Sequence, residues 1–478
     1  MKNTITPLLV LLILFSLPSL VTGTQQESHY STETIQLTIT RFNYLEEVQD
    51  FMPASFILFI YPDYNETSSI NRYDEKEIPS RYNSTPITLI FAPSQETQRE
   101  FHIKFDILKK ETDQFYPCDL NEKPGINHAI ITFDRYTGHW SGDDSLHDSS
   151  GYGRFNGCDD ESYYDNENDV ELCFSLSIID EDGDGIPQWY EEHIYHTNPA
   201  IDNTADDEDQ DDIPLYWEYH WGYDPFIFED HHILDPDQDG LSNYEEYLVS
   251  TWGSDPFCDD MFMELDQMEI GPNGEGAFVP NQSLIQVEQT YAKRNIKFHV
   301  DDGCMGGGEI IPYSPLLLMG QGRQYYQHYF LNNDADNWRR GVFRYALFVY
   351  EHLPIRGMEF PGEHTILLYF IPGLNSFVIS TSMYELMNKA PEESCQHVIL
   401  HELGHTCGMC MGRPLGCDNQ LMRIPFSFQT ILFKNYKSVM NYKYAYTLLD
   451  YSDGTHGFGD YDDWGNLDLS YFQPKGAL

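Results

Sequence analysis

Basic residues are scarce in this sequence: 27 Lys and Arg stand against 77 Asp and Glu in 478 residues, for a net charge of −50. Nucleic acids and anionic membranes are bound by basic surfaces, so we expect neither as a partner and regard cations as natural ligands. The scarcity is also local, because no Lys or Arg lies between Arg154 and Lys293. Solubility alone does not require such a gap, whereas a segment that binds divalent cations produces one.

Long apolar runs are also nearly absent. The clearest run, residues 8–20, follows Lys2 and precedes a small-residue Val-Thr-Gly stretch at 21–23. This pattern predicts a signal peptide over 1–23, with an uncleaved anchor as the alternative, because the run is short for a membrane span. No later run is long enough, so we expect a secreted, extracellular protein with no stable membrane span. In that compartment most of the nine cysteines should form disulfide bonds.

Three regions differ in residue composition and pattern, as expected for a multidomain chain of this length. Residues 24–177 alternate β-rich runs with polar turns, which predicts an N-terminal all-β sandwich. The expected strands there include 35–40, 55–61, 87–91 and 129–133. Residues 178–258 hold an acidic repeat, and residues 259–478 mix strands with helices, which predicts an α+β or α/β domain. The expected elements of this last region are strands at 261–265, 296–300 and 365–370 and helices at 283–293 and 338–350.

The acidic repeat has the spacing of calcium-binding loops. Such a loop surrounds Ca²⁺ with carboxylates at positions 1, 3 and 5, a backbone carbonyl at 7 and a bidentate glutamate at 12. The candidate ligands are Asp180, Asp182, Asp184, Ile186 and Glu191 in the first acidic loop, Asp207, Asp209, Asp211 and Glu218 in the middle loop, and Asp235, Asp237, Asp239, Leu241 and Glu246 in the third loop. Asp212 replaces the loop glycine in the middle copy, so whether that copy binds calcium stays open.

The loops recur at a nearly constant interval, and an Asx-Pro dipeptide follows each of them at 198–199, 224–225 and 255–256. A strand-like run at 172–179 precedes the first loop and the segments after the loops are short, unlike the long paired helices of EF-hands. The block resembles thrombospondin type 3 repeats. That resemblance implies a calcium-ordered spacer with little core of its own. A solvated acidic linker is the alternative.

Residues 401–405, His-Glu-Leu-Gly-His, match the HExxH pattern. On a helix, His401 and His405 share one face and can bind one Zn²⁺, with Glu402 beside them as a general base for a zinc-bound water. An apolar run at 398–400 leads into the motif. The alternative is a pair of ordinary helical histidines.

The residues after this motif resemble the metzincin peptidases, whose pattern is HExxHxxGxxH. Gly408 stands at the glycine position, but Met411 replaces the third histidine and is a poor zinc ligand. Residues 438–442, Ser-Val-Met-Asn-Tyr, resemble the Met-turn, in which a methionine, here Met440, packs beneath the metal. Tyr442 matches the tyrosine that some members use as a further zinc or transition-state ligand. The resemblance implies that residues 259–478 form a metzincin-like peptidase domain with a twisted sheet over the active-site helix.

The third zinc ligand is left open by the sequence. If 409–417 is an inserted loop, Asp418 is the first competent group after it and ranks first, ahead of His456. A thiolate of Cys410 or Cys417 ranks last, because cysteines of a secreted chain more readily form disulfides. A glutamate on a following helix, as in gluzincins, is nearly excluded because no glutamate follows His405.

We therefore predict a secreted zinc-dependent endopeptidase that hydrolyses peptide bonds in proteins, with Ca²⁺ in the acidic loops. Its predicted catalytic residues are Glu402 and Tyr442, and its predicted zinc ligands are His401, His405 and Asp418. The alternative is a calcium-dependent surface or adhesion protein with an inactive peptidase-like domain, which Met411 favours and the retained Glu402 disfavours.

Overall fold

The computed structural model describes residues 34–45, 55–62, 74–79, 81–82, 87–91, 99–111, 114–146, 151–158, 168–179, 182–353, 357–359, 375–382, 391–410, 414–419 and 428–473. The predicted signal peptide, the predicted strand at 365–370, Asp180 and Met411 lie outside these residues. The described part of the chain belongs to one compact unit, Glu33–Leu478, and has a multidomain, mixed α/β fold with several β-sheets. Within it, no helix combines the length and the apolar character that a membrane crossing needs.

The strands before the acidic loops form two antiparallel sheets. They are β1 (Thr34–Tyr44), β2 (Ser55–Pro62), β3 (Asp74–Pro79), β4 (Arg81–Tyr82), β5 (Ile87–Phe91), β6 (Glu100–Glu111), β7 (Gln114–Pro117), β8 (Ala129–Asp134), β9 (His139–Gly142), β10 (Tyr152–Asn156) and β11 (Val170–Ile179). One sheet has the order β10-β11-β1-β4, with β5 also on β1, and the other has the order β3-β2-β6-β8-β9, with β7 on β6.

These two sheets share one hydrophobic core. Alternate residues are buried over the first seven positions of β1, as expected for a strand with one face on a core. The rings of Phe42 and Phe56, from opposite sheets, have centroids 5.0 Å apart, and those of Phe105 and Phe155 are 4.9 Å apart. The described residues of 34–179 therefore form an all-β sandwich, with strands close to the four expected positions.

The acidic segment that follows contains short helices. They are α1 (Gln188–Tyr190), which continues as a π-helical turn (Glu191–Tyr195), α2 (Leu215–Trp221) and α3 (Asn243–Val249). Each helix begins within an acidic loop or just after its aspartates, so the glutamate at loop position 12 lies on or directly beside a helix. The segment therefore contains neither a sheet nor a pair of long helices around a loop among its described residues.

The last region is built on a mostly parallel sheet. The strands of this region are β12 (Asp260–Met268), β13 (Lys297–Asp301), β14 (Ile310–Ile311), β15 (Leu317–Leu318), β16 (Phe343–Val349), β17 (His352–Leu353), β18 (Gly357–Glu359), β19 (Ser376–Ser380) and β20 (Leu415–Asp418). Its helices are α4 (Asn281–Ala292), α5 (Met319–Tyr325), α6 (Arg339–Val342), α7 (Pro391–Thr406) and α8 (Phe428–Leu432). The main sheet has the order β13-β12-β16-β19-β18, and only the β18–β19 pair in that path is antiparallel.

Hydrophobic cores cover both faces of this sheet. On one face, α4 and α7 contribute Val287, Tyr291 and Leu403 to a core that also contains Met263 of β12 and Met440. The opposite face packs in a second core. Burial on both faces is typical of parallel sheets, and here it holds α7 firmly against the sheet.

The helix predicted over 338–350 is wrong for most of its length. Only Arg339–Val342 is helical, and Phe343–Val349 is a strand in which every residue is buried. A strand buried on both faces reads as a continuous apolar run, and such a run lacks the period of two that would identify it. In contrast, the helix expected at 283–293 and the strands expected at 261–265 and 296–300 are present as α4, β12 and β13.

A buried ionic network joins the sandwich to α4. Arg154 of β10 lies 2.6 Å from Oε1 of Glu171 and donates a hydrogen bond of 2.5 Å to the carbonyl of Ala292. Arg41 of β1 lies 2.7 Å from Glu288 of α4. Burial disfavours the Glu171 carboxylate, but the charges of Arg41 and Arg154 outweigh burial and lower its pKa to about 2. Glu171 therefore holds two buried guanidinium groups at this contact.

Replacing Glu171 by Gln should lower the free energy of unfolding by about 3–5 kcal/mol, because two buried cations lose their counter-charge. The folded-state pKa of Glu171 lies below its ordinary value of 4.5. Its stabilising contribution is thus complete above about pH 4.5 and is lost as the pH falls toward 2. Urea unfolding at neutral and acidic pH measures both effects. The control is Arg99→Gln, which removes the exposed pair with Asp134 and should cost far less stability than Glu171→Gln; equal losses in the two variants would contradict the prediction.

Candidate metal centres

His401 and His405 lie near the C-terminal end of α7, and both are buried. Nδ1 of His401 is 2.9 Å from the carbonyl oxygen of Val439, and Nδ1 of His405 is 2.5 Å from that of Met409. A carbonyl oxygen only accepts hydrogen bonds, so in the neutral rings both Nδ1 atoms carry the proton. Both Nε2 lone pairs are therefore available, which is the usual arrangement of histidines that bind a metal.

Asp418, at the end of β20, faces both histidines. Its Oδ1 is 3.1 Å from Nε2 of His401, and its Oδ2 is 3.3 Å from Nε2 of His405. Oδ1 is buried and accepts no well-directed hydrogen bond from the described residues. One ligand atom from each of the three side chains lies within 4.8 Å of the other two. Oxygen and nitrogen lone pairs that face each other this closely repel unless a proton or a metal ion lies between them, and two imidazoles with one carboxylate are a ligand set that fits a zinc ion.

The backbone brings Asp418 to this position. Its amide donates a 3.1 Å hydrogen bond to the carbonyl of Met440, and its φ of 51° lies in the left-handed region. Burial disfavours the Asp418 carboxylate, but the nearby His405 and His401 and a hydrogen bond with Tyr442 outweigh burial, so the pKa of Asp418 is held well below its ordinary value. The carboxylate is thus ionised, as a metal ligand must be.

Two further predicted residues lie beside this cluster. The ring of Tyr442 stacks on that of His401, with centroids 5.7 Å apart and planes at 18°, and its hydroxyl bonds to Asp418. Glu402 is buried and follows His401 in α7. A phenol and a carboxylate therefore flank the three candidate ligands.

Met440 packs against α7 at Gly404. A Cβ atom placed on Gly404 would lie 2.6 Å from Sδ of Met440 and 2.9 Å from Cε of Met409. The turn that carries Met440 is fixed by Ser438, whose hydroxyl accepts a 3.1 Å hydrogen bond from the Met440 amide. After the helix, Gly408 adopts a φ of +91°, and the chain turns back so that the Met409 carbonyl meets His405. The methionine thus lies against the helix turn between the two histidines.

The Gly404→Ala variant should lose about 1–3 kcal/mol of stability, because the added methyl group overlaps the two methionine side chains. The displaced turn also carries Val439, the hydrogen-bond partner of His401, so zinc affinity should fall with stability. Thermal unfolding and zinc titration measure the two effects. Gly322→Ala in α5 is the matched control: its Cβ meets only Leu317, at 3.9 Å, and it should not lower stability. Similar behaviour of the two variants would contradict the packing argument.

His456, the second candidate for the third ligand, has other partners. Nδ1 of His456 is 3.0 Å from Asp460 and 3.5 Å from Asp453, in a separate cluster. Cys417 is buried and Cys410 is half-buried. All nine cysteines lie among the described residues, and none of them forms a disulfide. The predicted disulfide bonds therefore stay predictions.

The described parts of the three acidic loops share several backbone features. Positions 4 and 6 have positive φ in each copy, at Gly183 and Gly185, Gln210 and Asp212, and Gln238 and Gly240. The amide of position 7 donates to the carboxylate of position 5 at 2.8, 3.1 and 2.7 Å in the first, middle and third loops. The side chains at position 7 are Ile186, Ile213 and Leu241, and all are buried. The middle loop therefore keeps the fold of its neighbours although Asp212 replaces glycine.

Carboxylates converge inside these loops. One ligand atom from each of Asp182, Asp184 and Glu191 lies within 4.8 Å of the others, and Asp207, Asp209 and Asp211 form a similar group. In the third loop, both carboxylate oxygens of Glu246 are buried without a hydrogen-bond partner among the described residues. Burial and then the charge of Asp239 raise the pKa of Asp237 to about 10. Buried carboxylates are costly without a counter-charge, and a bound cation would supply it.

Two residues of these clusters were missed by the sequence patterns. Asp260, the first residue of β12, donates its amide to Oδ2 of Asp239 at 2.6 Å. His231 is fully buried with Nε2 3.2 Å from Oδ2 of Asp211 and 4.0 Å from Oε1 of Glu218. Both residues lie beyond position 12 of the loop template, so the spacing of the loops gives no signal for them.

A scan of protein-family models found no match to this chain, and a search of curated proteins also found none. The candidate sites are therefore interpreted from their own geometry.

Proposed function

We propose that this chain is a zinc-dependent metallopeptidase that hydrolyses peptide bonds in proteins. The observation that carries the proposal is the convergence of Nε2 of His401 and Nε2 of His405 on the Asp418 carboxylate, whose Oδ1 has no hydrogen-bond partner among the described residues. Catalytic zinc sites in proteins have three such ligands and keep a further position open for water or substrate. The HExxH motif and the resemblance to metzincin peptidases support the same function.

Each residue has a role in the proposed reaction. When bound, zinc would supply Lewis acidity, which lowers the pKa of a water molecule and polarises a peptide carbonyl. Glu402 takes a proton from the attacking water and passes it to the leaving amine. The Tyr442 hydroxyl, which lies beside Asp418, donates a hydrogen bond to the developing oxyanion. The carbonyls of Val439 and Met409 hold the histidine rings in the ligand tautomer.

The acidic loops are proposed as structural cation sites of this enzyme. In the third loop, the unpartnered oxygens of Glu246 and the convergent aspartates support Ca²⁺, and the similar backbone and carboxylate group of the first loop support a second site. Asp180, the first predicted ligand, lies outside the described residues. The apolar stretch at 8–20 supports secretion, and calcium concentrations outside cells suit such sites.

Zinc content and casein hydrolysis of the full chain test the proposal. The purified protein should lose activity on chelation and regain it with Zn²⁺. Asp418→Ala should weaken zinc binding by at least about 100-fold, because even indirect partners of zinc ligands contribute up to that factor. His456→Ala, in the separate aspartate cluster, should bind zinc as the wild type does. Loss of zinc in His456→Ala but not in Asp418→Ala would disprove the ligand assignment.

A further inference from the structure

The middle acidic loop contributes to a ligand group that contains a histidine. One ligand atom from each of Asp211, Glu218 and His231 lies within 4.8 Å of the other two, and all three side chains are buried. A second group of the same kind contains Asp207, Asp209 and Asp211. Because Asp211 belongs to both groups, the five side chains form one connected cluster.

Several polar atoms of this cluster have no hydrogen-bond partner among the described residues. They include both oxygens of Glu218, both oxygens of Asp209 and Nε2 of His231. Glu218 and His231 are completely buried. Leaving one buried polar group unsatisfied is destabilising, and here several lie together. A cation bound between them would satisfy these atoms at once.

His231 has no counterpart in the other two loops. In each loop, Oδ2 of the position-5 aspartate accepts a hydrogen bond from a later backbone amide, which belongs to Asn203 in the first loop, Glu229 in the middle loop and Asp260 in the third loop. The residue two positions after the donor is Ala205 in the first loop, His231 in the middle loop and Phe262 in the third loop. Only the middle loop thus has a side chain with a metal-binding atom at this point of the repeat.

A hydrogen bond at Nδ1 of His231 can hold the ring in the tautomer that leaves Nε2 able to bind a metal. Nδ1 lies 2.9 Å from the side-chain amide nitrogen of Asn243, and the amide oxygen of Asn243 has no hydrogen-bond partner among the described residues. The oxygen and nitrogen of such an amide can be exchanged by a half-turn. In the exchanged orientation, Oδ1 of Asn243 accepts the proton of Nδ1, and the Nε2 lone pair faces the carboxylates.

We propose that the middle acidic loop is a transition-metal site, with His231 as a nitrogen ligand beside Asp207, Asp209, Asp211 and Glu218, and that it prefers Zn²⁺ to Ca²⁺. Ca²⁺ is a hard cation that takes oxygen ligands, whereas imidazole nitrogen suits zinc and related ions. The site lies in a different part of the chain from His401 and His405, and it does not depend on peptidase activity. The chain would then have structural sites for two kinds of metal within one repeat array.

The test is zinc stoichiometry of the metal-free full chain after equilibration with Zn²⁺ in a large excess of Ca²⁺. The wild type should bind one more zinc ion per chain than His231→Gln. The matched control is His232→Gln, whose exposed ring pairs with Asp212 3.2 Å away and which should bind as much zinc as the wild type. Equal zinc counts in the wild type and His231→Gln would overturn the proposal and leave an oxygen-only calcium loop. If the peptidase proposal fails, zinc binding by Asp418→Ala shows it, and the difference in zinc count between the wild type and His231→Gln stays unchanged.

A second variant covers the case in which His231→Gln does not fold. Asp209 is only partly buried, and neither of its carboxylate oxygens has a hydrogen-bond partner among the described residues, so Asp209→Asn should fold. It should lower the zinc affinity of the same site by at least about tenfold, as the loss of a supporting group does at other zinc sites. Unchanged zinc affinity in Asp209→Asn would overturn the proposal as well.

Discussion

Glu402→Gln is expected to abolish hydrolysis of protein substrates while the zinc content stays at the wild-type level. A glutamine has the shape of glutamate but cannot accept the proton of the attacking water. Positioned general acids and bases contribute about 10²–10⁴-fold to a rate, so kcat/KM should fall by at least that range. Zinc should remain bound because Val439 and Met409 orient the two histidines and Asp418 completes the ligand set.

Zinc analysis and cleavage of a quenched fluorescent peptide, each on the full chain, measure this separation. The matched control is Glu393→Gln, which changes a glutamate near the beginning of the same helix and should keep full activity. Stoichiometric zinc together with wild-type activity in Glu402→Gln would show that Glu402 is not the general base and would contradict the peptidase mechanism. A wild-type protein with zinc but without activity would favour the alternative of a calcium-dependent surface protein.

Local spacing predicted much of the candidate sites. Helix geometry alone places His401 and His405, four residues apart, on one face. The alternation of the aspartates follows from the few residues that wrap around one ion. Asp418 was ranked first for its chemistry, as the first carboxylate after a loop. Its actual position depends on a hydrogen bond to the Met440 carbonyl, a contact that no spacing in the sequence encodes.

The features that the sequence did not predict arise from long-range packing. The strand Phe343–Val349 is buried on both faces of the sheet, so its apolar run has no period that separates strand from helix. His231 enters the middle loop from 20 positions beyond Asp211, outside any loop template. Arg154 of the sandwich meets the carbonyl of Ala292, and Arg41 meets Glu288 of α4, only because the two regions pack together. Such contacts are set by the tertiary fold rather than by neighbouring residues.

Removing calcium is expected to lower the free energy of unfolding by several kcal/mol and to reduce peptidase activity. A site saturated at about 1,000 times its Kd stabilises the folded state by about 4 kcal/mol, and two loops are proposed to be occupied by calcium. The third loop also contacts the region of the proposed active site. Asp239 accepts a hydrogen bond from the amide of Asp260 at the start of β12, and Gln473 donates one to the carbonyl of Gly240. Loosening this loop should therefore disturb the sheet on which α7 packs.

Thermal unfolding with a calcium-selective chelator, at saturating Zn²⁺, measures the stability effect, and peptide cleavage under the same conditions measures the activity. Glu246→Gln should reproduce much of the chelator effect in the presence of calcium, because it removes the bidentate ligand of the third loop. The control is Glu192→Gln, an exposed glutamate next to Glu191, which should change the unfolding free energy by less than about 0.5 kcal/mol. If the chelator leaves the melting temperature unchanged and Glu246→Gln is as stable as Glu192→Gln, the buried carboxylates of these loops are neutralised by protons rather than by calcium.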